Sequence, residues 1–110
     1  MAYDEDLAQR LRELLASRLD VTERKMFGGI GFMVSGNMCV GVQGEDLIAR
    51  VGEERFDDGL AEPHARVFDF SGRPSKGFLY VAPGGTADEG DLRAWVDRAL
   101  AFVTTLPPKG

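Results

Sequence analysis

Two cations, Arg73 and Lys76, stand in the run Ser71-Gly72-Arg73-Pro74-Ser75-Lys76-Gly77. Cationic side chains beside the free N–H groups of a glycine-containing loop can hold a phosphate or a carboxylate. Arg50, near the end of a strand-like run, is the third candidate anchor for such an anion. The loop is not of the Walker type, because the order glycine-lysine-hydroxyl is absent. The competing reading is a surface turn whose cations are solvated or paired with Asp69.

The other reactive residue types offer less. His64 is the single histidine and Cys39 the single cysteine. A general base or a zinc set needs partners at suitable spacing, and neither residue has them. Pro63-His64 reads as a surface connection, and Cys39 as a small buried apolar residue on a strand. Gly28-Gly29-Ile30-Gly31 lies in a strand-like run with no βαβ unit after it, so it marks close packing or a bulge rather than a nucleotide loop. Glu53, Glu54, Asp57, Asp58 and Glu62 form a carboxylate cluster that reads as a solvated helix face. Met26, Met33 and Met38 read as core filling or as an adaptable docking surface. No catalytic set, metal site or cofactor site is expected from these residues.

The elements that must position them follow from periodicity. Asp4 to Leu19 is predicted helical, with Leu7, Leu11, Leu14, Leu15 and Leu19 in one apolar stripe. Strands are predicted over Phe27 to Val34, Asn37 to Val42 and Asp46 to Val51, joined by tight turns as an antiparallel meander. A short helix is predicted over Glu53 to Leu60, then strands over Ala65 to Phe70 and Phe78 to Ala82. Thr86 and Glu89 fit a capping box for a last helix with Leu92, Trp95, Val96, Ala99, Leu100, Val103 and Leu106 on its apolar side. Pro107-Pro108 ends it. The order α-β-β-β-α-β-β-α gives an α+β fold: a mostly antiparallel sheet of about five strands, with the terminal helices on one face.

The other face of that sheet is the candidate interaction surface. If Met38, Val40 and Val42 meet the helices, then Asn37, Cys39 and Gly41 face away. Phe27, Gly29, Gly31 and Met33 share one parity, and both parities of Phe78 to Ala82 are apolar. The residues expected on this face are Phe27, Met33, Cys39, Phe78 and Tyr80. An apolar surface of this kind is covered by a partner, a loop or a ligand.

Composition bounds the partners. The chain has 110 residues, the size of one domain, and 1–110 is read as such. With one cysteine it forms no internal disulfide, which suits a reducing compartment. The start Met1-Ala2-Tyr3-Asp4-Glu5-Asp6 is acidic where a secretion signal would be basic, and no run of about 18 apolar residues is present. A cytoplasmic protein without a membrane span is expected. The net charge of −5 disfavours direct binding to nucleic acid, which needs a positive field.

Lys25-Met26-Phe27-Gly28-Gly29-Ile30-Gly31-Phe32-Met33-Val34, followed by Asn37-Met38-Cys39, resembles the opening strands of the TfoX N-terminal domain family. Phe68-Asp69-Phe70-Ser71-Gly72-Arg73-Pro74-Ser75-Lys76-Gly77 resembles that family's second signature, and Trp95 to Leu106 with Pro107-Pro108-Lys109 its closing helix. Ser75 departs from the pattern, where methionine is expected. The family is named for a regulator of natural competence whose full length has a further C-terminal helical domain, which this sequence does not include. The resemblance implies a fold, a regulatory role and no catalytic residues. The expectation is therefore a non-enzymatic regulatory module that binds a protein partner or a second copy of itself. The alternative is a small-anion-binding protein or enzyme using Arg50, Arg73 and Lys76.

Overall fold

The structure, a computed structural model, describes residues 3–26, 28–70 and 72–109. Its elements are α1 (Glu5–Leu14), β1 (Val21–Met26), β2 (Gly29–Val34), β3 (Asn37–Gln43), β4 (Asp46–Arg50), α2 (Phe56–Leu60), β5 (Ala65–Val67), β6 (Phe78–Val81) and α3 (Glu89–Val103). The strands form one antiparallel sheet in the order β1-β2-β3-β4-β6-β5. The α+β class and the placement of both terminal helices on one face agree with the sequence.

Strand β1 is the element that periodicity missed. It is mostly exposed, and its middle reads Thr22-Glu23-Arg24-Lys25, with no apolar alternation to announce it. Pairing with β2 holds it, in register from Val21 against Val34 to Met26 against Gly29. Gly28, at φ 71°, sits in the short turn between them, a conformation that glycine adopts without Cβ strain. The strand expected over Phe27 to Val34 therefore begins only at Gly29, and Phe27 lies outside the described residues.

Both main helices are shorter than their apolar spacing suggested. Asp4 caps α1, its Oδ1 accepting from the N–H groups of Asp6 and Leu7 at 2.9 and 3.2 Å. Leu7, Leu11 and Leu15 are buried, but Leu19 is fully exposed, because the chain turns away after Leu15. There Arg18 grips Asp20 with two bonds of 3.0 Å, and Ser35 donates from its N–H and hydroxyl to Asp20. On α3 the cap is Asp88, not Thr86. Thr86 is buried after a 3-10 turn over Pro83–Gly85, and its carbonyl accepts a 2.7 Å bond from Arg10.

The main core lies between the sheet and helices α1 and α3. Leu7, Leu11, Leu92, Val96 and Ala99 pack there against Phe32, Val40, Val42, Leu47 and Leu79. A second, smaller cluster lies on the opposite face: Met33, Met38, Ile48, Phe68 and Tyr80.

Candidate functional site

The helix-free face of the sheet is built by alternation with one interruption. Along β2, Ile30, Phe32 and Val34 join the main core while Met33 goes to the second cluster. On β3 the register shifts: Phe32 pairs with Val40 and Met33 with Met38, so Cys39 is an extra residue without a partner. A bulge of this kind sends two successive side chains to the same side. Cys39 and Val40 therefore both enter the main core, and Met38 goes to the opposite face. The expected assignment of these positions is reversed: Cys39 is not on the interaction face, and Met38 is. Burial among apolar groups pushes the Cys39 thiol up to about 12, against the opposing pull of Arg18 and Arg50, so it carries no thiolate near neutral pH.

Of the other residues expected here, Met33, Phe78 and Tyr80 do occupy this face. Gly31 and Gly41 are paired across β2 and β3 and make a furrow in it. A Cβ on Gly31 would lie 2.3 Å from the Met26 sulfur, and one on Gly41 would lie 3.1 Å from the Met38 terminal methyl. The two methionines fold across ground that only glycine leaves open.

Part of the face is covered by the chain itself. Phe68, just after β5, places its ring 4.8 Å from Tyr80 and 5.8 Å from Phe78, centre to centre. Phe70 stacks against Phe68 at 6.5 Å and remains half exposed. Arg66 lies 4.7 Å over the Tyr80 ring and bonds Asp46 at 2.7 Å, while the Tyr80 hydroxyl donates to Gln43. The loop is tied down by Ser75 N–H to Phe68 C=O at 2.8 Å, and by the Val51 and Gly52 N–H groups to Gly77 C=O at 2.8 and 3.1 Å.

Beside this aromatic patch runs an open groove of about 760 Å³. Its floor includes Met33, Met38 and Phe78, and three cations line it: Arg24 from β1, Arg50 from β4 and Lys109. Arg50 is held between two rings, 5.3 Å from Phe78 and 5.4 Å from Phe102, and donates to Met38 C=O at 3.4 Å. Lys109 is brought in by the segment after α3. Asn37 Nδ2 donates to Pro107 C=O at 2.9 Å, and Lys109 N–H to Ser35 C=O at 2.7 Å. Sequence reasoning missed Arg24 and Lys109, because neither the edge strand nor the docked tail has a local signature.

The three expected anchors are divided. Arg73 and Lys76 are exposed on the loop between β5 and β6, and the groove that Arg50 lines includes neither. His64, exposed and at φ 71°, lines a different groove with Glu62, Asp91 and Arg98. Among the described residues, no group of three or more His, Cys, Asp or Glu side chains could hold a metal ion. None of the helices among them is long and apolar enough to cross a membrane.

No curated protein and no solved structure matches this chain. A family model does: that of the TfoX N-terminal domain, over residues 13–103, a span from the end of α1 through β1–β6 to the last residue of α3. A match over that much of the sequence means that the chain belongs to the TfoX N-terminal domain family.

Proposed function

We propose that this chain is a non-enzymatic regulatory module that docks a protein on the helix-free face of its sheet. The observation that carries this reading is the apolar and aromatic make-up of that face, with Phe70 half exposed at its rim. A ring anchored by stacking presents rigid apolar area at small entropic cost, the usual character of an interface anchor. The burial of Cys39 and the separation of His64 from Arg50 support binding without chemistry. The family's namesake, a competence regulator, supports a regulatory role.

The test compares tagged wild type with Phe70→Asp and, on the exposed side of α3, Arg93→Asp. A partner, whether a second copy of this chain seen by light scattering or another protein captured from lysate, should be retained by Arg93→Asp. It should be lost with Phe70→Asp. Equal capture by all three proteins, or a monomer that captures nothing, would refute docking on this face.

A further inference from the structure

The groove on the helix-free face is unusual in charge for this molecule. The chain carries 13 basic and 18 acidic residues, yet among the described residues three cations and no carboxylate line this groove. Five other arginines, at positions 10, 12, 18, 66 and 98, each pair with a carboxylate. Among the described residues, Arg24, Arg50 and Lys109 have no such pair. Like charges gathered without counter-charge repel one another, and an anion of matching charge relieves that repulsion.

The geometry points to a binding site for a small phosphomonoester with an apolar or aromatic body. Three elements of the site specify that class. The charge asks for more than one negative unit, and a phosphomonoester carries about −1.5 to −2 near neutral pH, where a simple carboxylate carries one. Arg50 is pre-oriented by the Phe78 and Phe102 rings, so its planar fork is ordered before a ligand arrives. The floor of Met33, Met38 and Phe78 offers polarisable, adaptable surface to the organic part. The volume, about 760 Å³, falls in the range of small-molecule sites. This site shares Met33, Met38 and Phe78 with the face proposed above for docking, but its test needs only the isolated chain and no protein partner.

Phenyl phosphate is the first probe, with phenol, phenyl sulfate and inorganic phosphate as companions, followed by amide NMR shifts and calorimetry. Phenyl phosphate is expected to saturate, with shifts at Met33, Gly36, Met38, Arg50 and Lys109. It should bind more tightly than phenyl sulfate or inorganic phosphate, and phenol should not bind. Affinity should rise from about pH 5 to about pH 7 as the phosphate takes its second charge, whose pKa is about 6. Arg50→Gln should weaken binding by about tenfold or more, the worth of one charged hydrogen bond.

Arg50 also packs between two rings, so the exposed pair Arg24→Gln with Lys109→Gln supplies a variant that leaves the fold unloaded. It should weaken binding by a similar factor, while Arg73→Gln with Lys76→Gln should leave it unchanged. Absence of saturable shifts at about 10 mM phenyl phosphate, a weak-site limit, would overturn the assignment. So would shifts confined to residues 72–76, or equal binding of phenol. A phosphotyrosine peptide that outcompetes phenyl phosphate by more than about tenfold would place the phosphate on a protein and overturn the small-molecule reading.

Discussion

Gly31 and Gly41 face one another across β2 and β3, but a methyl group added at each meets a different obstacle. At Gly31 it meets the Met26 sulfur at 2.3 Å, the end of a flexible side chain. At Gly41 it meets the Ile30 carbonyl oxygen at 2.7 Å, which belongs to the ladder and cannot swing aside. Overpacking of this kind costs about 1–3 kcal/mol. Gly41→Ala should fall at the upper end, while Gly31→Ala should be milder and should displace Met26. Urea unfolding of both variants, compared with wild type, checks the order. Asp20 is the residue whose titration bears on stability. Hydrogen bonds from Arg18 and then Ser35 hold its carboxyl below the usual aspartate range. The unfolded chain therefore binds the proton more readily, and the stabilisation is present above the ordinary carboxylate pKa and lost as pH falls through the folded value. Asp20→Asn should lower the melting temperature at about pH 7, and the difference should shrink as pH falls below the ordinary aspartate range. Equal differences at both ends would assign the effect to packing. Arg50, Arg73 and Lys76 were legible as cations, but their grouping was not, since a sequence does not state which loop reaches which strand.

Helix α3 is capped at its start by the Asp88 side chain. Asp88 accepts from the Asp91 N–H at 3.1 Å, and Glu89 and Asp91 place negative charge in the first turn. Loss of such a cap costs about 1 kcal/mol. Asp88→Ala should therefore lower the melting temperature by about 4 °C for a chain of this size, read by circular dichroism. The apolar stripe of α3 is legible in the sequence because Leu92, Trp95, Val96, Ala99 and Val103 recur at the helical period and are all buried. Its cap was misread two residues early. Thr86 fits the pattern, but Pro83 opens a 3-10 turn that takes Thr86 into the interior. Strand β1 was not legible at all. Edge strands carry charge to blunt further pairing, which erases the alternation by which strands are recognised. Here Glu23 accepts two bonds from Arg12 of α1, at 2.7 and 3.0 Å, so one charge of the edge is also its clamp.

At the scale of the molecule, stability is expected to be graded across the sheet. β2, β3, β4 and β6 each have a neighbour on both sides, while β1 and β5 have one. Hydrogen exchange should be slowest in the inner four strands and fastest at the two edges. Uniform protection would mean that the sheet opens only by global unfolding. The order of the elements other than β1, the two main helices and the inner strands were determined by the sequence itself, because hydrophobic periodicity is a local record of which side is buried. Local order also settled the turns at Ser35-Gly36 and Gly44-Glu45, since both join paired strands. Three things belonged to the tertiary structure. The bulge at Cys39 exchanges the faces of Cys39 and Met38, because one unpaired residue inverts an alternation that has a period of two. Phe68 folds over Tyr80, covering a face that strand parity alone leaves open. Arg24, Arg50 and Lys109 come from an edge strand, an inner strand and the tail after the last helix, and they line one groove only once long-range pairing has closed. Periodicity reports a residue's side of its own element; it carries no information about which distant residue shares that side.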